Sequence, residues 1–194
     1  MVCIPLLPVY AVGLLPSLLQ LQLSQSCDKV FCSLIFVTHG NWKVINVTGN
    51  VTSTTGADTG HYTYSYNPSD SLLSYTVITS HAMPLTYNNQ IYETWNFISA
   101  DTCSISYTYI PLNQPMVTGN NHGAYTLSGS NLFLAAGASQ LLIMLGIDAP
   151  PYPGIYDQFK IQNVSSSQLV LNYNAVVNDS NSVAQVNFTL TFSK

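Results

Sequence analysis

The sequence contains few charged residues and no arginine. Charged residues make up 6% of its 194 residues, against about a quarter in an average soluble protein. The formal net charge is −4, and the four lysines are scattered along the chain. Nucleic acid requires a cationic surface, so we expect no nucleic-acid partner. The solvent-facing side chains must instead be hydroxyls and amides, which suits a protein outside the cell.

Groups that carry acid, base or metal chemistry are also scarce. Glu93 is the only glutamate, and the aspartates fall mainly in predicted turns, where such side chains usually cap their own backbone. Hydrolysis of a glycosidic bond needs two carboxylates on opposite sides of a cleft. The histidines, which lack the spacing of metal ligands, are His39, His61, His81 and His122. We therefore expect no enzymatic activity, no cofactor and no metal site.

The N-terminal region lacks an uninterrupted hydrophobic run. Residues 2–23 are apolar but contain three prolines, so they do not fit a membrane-spanning helix. Residues 11–23 fit the apolar core of an export signal. No cation precedes Lys29, so the alternatives are a true start further upstream or a segment that is buried in the fold. We predict a signal peptide over 1–26 and a linker over 27–39.

The cysteines suggest a lipid anchor and one disulfide. The segment Leu23-Ser24-Gln25-Ser26-Cys27 resembles the cleavage box of bacterial lipoproteins, which implies lipid attachment at Cys27 and contact with a membrane. The alternative is an ordinary cysteine. Cys32 and Cys103 then remain as an even pair that can form a disulfide in an oxidising compartment. Two alternatives stay open, which are a pairing of Cys27 with Cys32 and a buried, unpaired Cys103.

The sequence contains several segments in which apolar and polar residues alternate. Apolar and small polar residues alternate through 61–66, 102–110 and 185–192. Successive strand side chains point to opposite faces, so this pattern predicts strands with one face on a core and one in water. The predicted strands are 40–47, 61–66, 73–79, 91–98, 102–110, 123–127, 131–135, 156–162, 168–173 and 183–192. Short turns between them predict an antiparallel up-and-down sheet that closes into a β-barrel and so leaves no exposed edge.

Two segments interrupt this rhythm. Residues 111–121 contain two prolines and a glycine, and they predict a long polar loop over one end of the sheet. Residues 139–147 are apolar on every side. They predict either one buried strand or a short helix that starts at Ser139 and stops at Gly146, and periodicity does not decide between the two.

Several of these segments resemble lipocalins. The Gly40-x-Trp42 pattern looks like the start of the first lipocalin strand, and residues 95–103, 123–134, 159–173 and 188–192 are similar to later strands of bacterial lipocalin-like domains. The resemblance spans about residues 40–194. It implies an all-β, up-and-down lipocalin-like barrel of 8–10 strands, with the apolar N-terminal segment outside it, on a cell-envelope protein. Lipocalins pack an arginine over the base tryptophan, and this chain has none. Trp42 would pack on Phe or Tyr instead, or the barrel would be shallow or incompletely closed.

The aromatic residues supply the candidate ligand site. An eight-stranded barrel leaves room for side chains or for one small ligand, so its interior is either filled or hollow. A filled core is the default. The candidate lining residues lie on the apolar faces of central strands, and they are Trp95, Phe97, Tyr107, Tyr109, Tyr125 and Phe188.

The sequence is compatible with three functional hypotheses. The first is a lipid-anchored, non-catalytic cell-envelope protein that binds a small apolar ligand or serves as an accessory module. The second is a secreted structural subunit of a pilus or surface layer that assembles by strand addition. The third is a carbohydrate-binding β-sandwich, which requires Tyr62, Tyr64 and Tyr66 to face solvent.

Overall fold

The structure, a computed structural model, describes residues 39–111, 114–147, 156–179 and 181–194. These residues form ten strands and one short helix, α1 (Gln140–Met144). The strands are β1 (Gly40–Thr55), β2 (Asp58–Asn67), β3 (Leu72–Thr79), β4 (Ala82–Phe97), β5 (Thr102–Ile110), β6 (Val117–Ser128), β7 (Asn131–Ala135), β8 (Tyr156–Val164), β9 (Gln168–Asp179) and β10 (Ser182–Ser193). The predicted signal peptide and all of the predicted linker except His39 lie outside the described residues.

The ten strands form one ring-like antiparallel sheet. Each strand pairs with the next along the chain, and β10 closes the ring by pairing with β1. The predicted all-β class and antiparallel strand order are therefore confirmed, because each of the ten predicted segments coincides with one strand. Four strands, β1, β4, β6 and β9, are at least six residues longer than the sequence predicted.

The two ends of the ring differ in their strand pairing. Residues Gly40–Lys43 of β1 pair directly with Thr94–Phe97 of β4. Further along, Thr48–Thr55 of β1 pair with β2, and β3 pairs with the first half of β4. The β2–β3 hairpin is thus inserted between β1 and β4 at one end only. We call the end where β1 meets β4 the base, and the end where the hairpin separates them the mouth.

The predicted loop over residues 111–121 is wrong in its second half. The strand β6 begins at Val117 and pairs with β5 as far as Ala124. Its inner face carries Gly119 and Asn121 instead of apolar side chains, which hid the strand in the sequence. A Cβ atom at residue 119 would overlap the ring of Tyr107, so the glycine allows this tyrosine to lie across β6.

The segment that periodicity left undecided forms the short helix. Ser139 is the N-cap, and its Oγ accepts a hydrogen bond from the backbone N–H of Leu142 at 3.1 Å. Gly146 follows with a φ of +68°, a left-handed conformation that glycine adopts without strain and that ends the helix. The helical alternative of the sequence analysis is therefore confirmed.

Aromatic side chains fill the base of the ring. Trp95 lies at its centre, with its ring 4.8 Å from that of Phe192 and 6.2 Å from that of Phe159. Trp42 is also fully buried, and Lys194 Nζ lies 4.8 Å from its ring centroid. Phe or Tyr was expected beside Trp42, because the chain has no arginine. The structure places a lysine over this ring, where a cation is attracted by the π electrons.

Candidate functional site

The six predicted lining residues fall into two groups. Four of them have exposed fractions of 0–2% and belong to the filled base, and these are Trp95, Phe97, Tyr125 and Phe188. They pack on other aromatic rings, as Phe97 does on Tyr125 at 4.8 Å between centroids. The other two, Tyr107 and Tyr109, are half-buried on the inner face nearer the mouth. Four of the six predicted lining residues thus belong to the core, and none of the six lines the cleft at the mouth that is described below.

Helix α1 lies inside the ring and separates the base from the mouth. Leu141, Leu142 and Leu145 are fully buried against the inner face of the sheet. A carboxylate from β4 holds the start of the helix. Glu93 Oε2 accepts a hydrogen bond from the backbone N–H of Leu141 at 2.8 Å. Its Oε1 accepts from Ser139 Oγ at 2.5 Å and from the indole N–H of Trp95 at 2.6 Å.

Glu93 is thus a structural clamp between a strand and the internal helix. Its side chain is almost completely buried, and this burial raises its pKa, although the hydrogen bonds from Ser139, Trp95, Leu141 and Gln140 act in the opposite direction. This role was not predicted from the sequence. The available signal was that the only glutamate occupies an inward-facing position of β4, between Ile91 and Trp95.

Three tyrosines form a stack across the mouth, which we call the tyrosine ladder. They are Tyr64 of β2, Tyr75 of β3 and Tyr87 of β4, which are direct cross-strand neighbours on the inner face. The rings of Tyr64 and Tyr75 are 5.4 Å apart at 23°, and those of Tyr75 and Tyr87 are 5.0 Å apart at 19°. The exposed fraction rises along the ladder, from 8% at Tyr64 to 42% at Tyr87.

A cleft of about 250 Å³ opens above α1, and we call it the mouth cleft. Its walls come from β1, β2, β9 and β10, and the end of α1 forms its floor. The lining residues are Val51, Ser53, Tyr62, Tyr64, Leu145, Gly146, Val177, Ala184 and Val186. These side chains are apolar except for the hydroxyl of Ser53 and two phenols, a composition typical of a small-molecule site.

The mouth cleft carries no charged side chain. Burial, with smaller contributions from the neighbouring phenols of Tyr75 and Tyr62, raises the pKa of Tyr64 to about 12. Burial also raises the pKa of Tyr75. Both phenols therefore remain neutral at physiological pH. A ligand in the cleft would meet apolar walls and neutral hydroxyl groups.

A polar recess of about 310 Å³ adjoins the mouth cleft and shares Ser53 and Tyr62 with it. At its rim, His81 Nε2 lies 2.8 Å from Asp58 Oδ1, which joins the β3–β4 turn to the β1–β2 turn. Both side chains are largely exposed, so this pair contributes little to stability. It marks the polar edge of an otherwise apolar opening.

A groove on the outer face has a different character. It measures about 360 Å³ and is lined mainly by amides and hydroxyls. Asn50, Asn187 and Asn174 lie side by side there on β1, β10 and β9. Three of its eight lining residues, Ala175, Val176 and Val186, are apolar. It therefore fits an apolar ligand less well than the mouth cleft does.

The aromatic platform of the carbohydrate-binding alternative is not at the surface. Tyr64 and Tyr66 are buried and Tyr62 is half-buried, and all three point to the inner face. Tyr66 donates its hydroxyl to the backbone carbonyl of Ile91 at 3.1 Å. These rings contribute to the core and the mouth cleft, which removes the surface that the sandwich hypothesis requires.

The remaining predicted site residues divide between the described region and the rest of the chain. Cys103 is a fully buried thiol next to Gly123, and burial raises its pKa to about 11. Cys27 and Cys32 lie outside the described residues, so the lipid attachment and the disulfide stay predictions. Over the described ranges, no three His, Cys, Asp or Glu side chains converge as metal ligands.

None of the helices in the described part of the chain is long and apolar enough to cross a membrane. Comparisons of the sequence with protein-family models and with curated proteins, and of the structure with solved structures, found no match.

Proposed function

We propose that this chain is an exported, non-catalytic cell-envelope protein whose lipocalin-like barrel binds a small, uncharged apolar molecule in the mouth cleft. The observation that carries the proposal is the contrast between a base of fully buried aromatic rings and an apolar cleft above α1 at the mouth. A cleft of about 250 Å³ suits a ligand of about one or two rings, because pockets for drug-sized ligands measure roughly 300–1,000 Å³.

Three features support the lipocalin-like interpretation. The strands follow one another around the ring in chain order. The Gly40-x-Trp42 pattern lies at the start of β1, and Trp42 is fully buried in the base. A cation, Lys194, lies over that tryptophan where the family uses an arginine.

The proposal that the chain is non-catalytic is based on the hydrogen bonds of Glu93 and Asp101. Both carboxylate oxygens of Glu93 are occupied by hydrogen bonds that hold α1 in place. Asp101 caps its own turn, since its Oδ1 accepts from Ser99 and Thr102. An acid or base that acts on a substrate needs a free oxygen directed into a cleft. Both oxygens of Glu93 are occupied, and Asp101 lies in an exposed turn outside the lining of the mouth cleft.

The cellular address is proposed from the sequence alone, through the apolar N-terminal segment and the lipoprotein-like box at Cys27. An intact-mass measurement of the native protein tests it, because cleavage before Cys27 and lipid addition both change the mass. We expect a chain that begins at Cys27 and carries acyl groups. A native protein that retains residues 1–26 would contradict this part of the proposal.

A fluorescence titration tests binding at the mouth. The probe is N-phenyl-1-naphthylamine, a neutral dye whose emission increases in apolar surroundings. We expect saturable binding at one site, and we expect Ala184→Phe, which adds a ring inside the cleft, to weaken it by about tenfold or more. Val183→Phe is the matched control, because Val183 is the preceding residue on the opposite, exposed face of β10. Equal binding by the two variants would contradict the proposed site.

One observation favours the structural-subunit alternative. Among the described residues, β4 between Ala82 and Asn89 pairs with β3 alone, since its pairing with β5 begins at Gln90. Such an edge can accept an added strand. Pro84 lies in this edge and lacks an N–H donor, which opposes strand addition. Sedimentation at increasing concentration tests the alternative, since a subunit that assembles by strand addition forms larger species and a carrier stays monomeric.

A further inference from the structure

We propose that the mouth binds an amphiphile, whose apolar group of one or two rings lies in the mouth cleft and whose uncharged polyhydroxyl head, such as a sugar, lies in the polar recess. This inference rests on the proposed function, because it names the class of ligand that the mouth binds. It depends on how the two cavities adjoin and on the side chains that line the recess.

The mouth cleft and the polar recess follow one another along the same inner face. On β1, Val51 lines the cleft, Ser53 lines both cavities and Thr55 lines the recess. These are alternate residues of one strand, so their side chains point to the same face. On β2, Tyr62 is the cross-strand partner of Val51 and also lines both cavities. One molecule can therefore extend from the cleft into the recess past Ser53 and Tyr62.

A glycine leaves space for the recess. Gly60 of β2 pairs with Ser53 of β1 on one side and with Thr79 of β3 on the other. It contributes no side chain between them, and the ring of Tyr62 lies 3.3 Å from the place that a Cβ atom would take. The recess measures about 310 Å³, against about 250 Å³ for the mouth cleft. It is therefore large enough for a head group at least as big as the apolar group.

Hydroxyl groups dominate the lining of the recess. Six of its nine lining residues carry one, and they are Ser53, Thr55, Thr59, Tyr62, Thr79 and Ser80. In the part of the chain that the structure describes, these hydroxyls form no hydrogen bond with the protein itself, so they are available to a ligand. A hydroxyl group both donates and accepts hydrogen bonds. The lining therefore matches the hydroxyls of a polyol, which do the same.

The charged groups of the recess favour a head without charge. Among its lining residues, only Asp58 and His81 belong to the charged types, and they bind each other at 2.8 Å. Asp58 repels an anionic head. Its attraction for a cationic head is weak, because His81 competes for the carboxylate and both side chains are largely in water. A ligand hydroxyl can donate to the carboxylate, and such a bond is stronger than one between two neutral groups.

Three ligands with the same apolar group and different heads test this inference. They are 2-naphthyl β-D-glucopyranoside, 2-methoxynaphthalene, which has a methyl group in place of the sugar, and 2-(2-naphthyloxy)ethylamine, which carries an ammonium ion. We expect isothermal titration calorimetry of the full chain to show about threefold to tenfold tighter binding of the glucoside than of the methyl ether, the equivalent of about one net hydrogen bond. Equal or weaker binding of the glucoside overturns the inference. Tighter binding of the ammonium compound than of the glucoside contradicts an uncharged head.

A double variant locates the head group. Thr55→Val with Thr79→Val removes two hydroxyls from the recess but keeps the shape of the side chains, and it should reduce the ratio of the two affinities to about one. The matched control is Thr48→Val with Thr63→Val, because both residues are exposed on the outer face of β1 and β2. The control should preserve the ratio.

The outcomes separate this inference from the proposed function. An unchanged ratio in the recess variant overturns the inference, because the head would then lie elsewhere. If that variant fails to fold, the comparison of the glucoside with the methyl ether in the unmodified protein still decides. Equal, measurable affinities there leave the apolar cleft intact. Failure of all three ligands and of the naphthylamine dye to bind overturns the proposed function itself.

Discussion

The base and the mouth of the ring differ in the strands that form them and in what lies inside. At the base, eight strands surround fully buried aromatic rings. At the mouth, the β2–β3 hairpin separates β1 from β4, while β7 pairs with β6 only from Tyr125 onwards and β8 pairs with β9 only up to Asn172. Helix α1 lies below this end, and the mouth cleft opens above it. The ring is therefore packed with side chains at one end and keeps an open cleft at the other.

The largest expected effect is the loss of a base aromatic. Trp95→Ala should lower the free energy of unfolding by about 3–5 kcal/mol, because it leaves a large cavity among rings that cannot collapse. Tyr87→Ala at the mouth should cost no more than about 1 kcal/mol, since its ring is already partly in water. Chemical denaturation of the two variants measures the difference. Similar losses would mean that the base and the mouth are packed alike.

The next effect concerns the clamp between the two regions. Glu93→Leu leaves the buried donors of Trp95, Ser139 and Leu141 without an acceptor, which should cost roughly 3 kcal/mol. It should also weaken binding of the naphthylamine dye, because α1 forms the floor of the cleft. Ser139→Ala is the milder comparison, at about 1 kcal/mol, because it removes the helix N-cap and a single hydrogen bond to the carboxylate. Unchanged stability in Glu93→Leu would refute the clamp.

Alkaline pH should affect both regions. The pKa of Tyr64 at the mouth and that of Tyr125 at the base are each raised from 10.0 to about 12, chiefly by burial. The folded protein therefore holds these protons more tightly than the unfolded chain does. Stability is complete below pH 10 and declines as the pH rises from 10 to 12. Tyr64→Phe and Tyr125→Phe should each reduce that decline in thermal unfolding curves, and an unchanged decline in both would contradict the assignment.

The smallest expected effect lies at the bottom of the ring. Lys194→Met keeps the aliphatic length of the side chain but removes the cation above Trp42. We expect a loss of about 0.5–1 kcal/mol, which is the usual size of a cation–π contact at an accessible site. Dye binding at the mouth should be unaffected, because the ligand site is at the other end of the ring. A changed dye affinity would mean that the two ends are coupled.

Alternation in the sequence was sufficient to place all ten strands, because most inner-face positions are large and apolar. Alternation did not predict a strand where inner-face positions hold residues that are not large and apolar, or where they are exposed. At Gly119 the ring of Tyr107 replaces a side chain, so β6 resembled a loop. The first half of β4 leads into the open mouth, and its inner residues, Leu85 and Tyr87, are exposed. The strand ends at the mouth were therefore not predicted, because the inner-face side chains there are not packed in the core.

The candidate site was harder to predict from the sequence than the fold was. Tyr107 and Tyr109 were correctly placed on an inner face, but nothing in the sequence distinguished them from Phe97 or Trp95, which belong to the solid base. The distinction depends on the hairpin insertion between β1 and β4, a pairing between residues more than fifty positions apart. The tyrosine ladder likewise requires the register of three strands. Local patterns do not contain this long-range information.

Methyl NMR of the full chain during titration with the naphthylamine dye tests the central contrast most directly. The methyl signals of Val51, Val177 and Val186, which line the mouth cleft, should shift as the dye binds. Those of Leu132, Leu169 and Leu171, which are buried in the core away from the cleft, should stay in place. Shifts confined to the leucines, or distributed equally over both groups, would contradict a filled base beneath an open mouth.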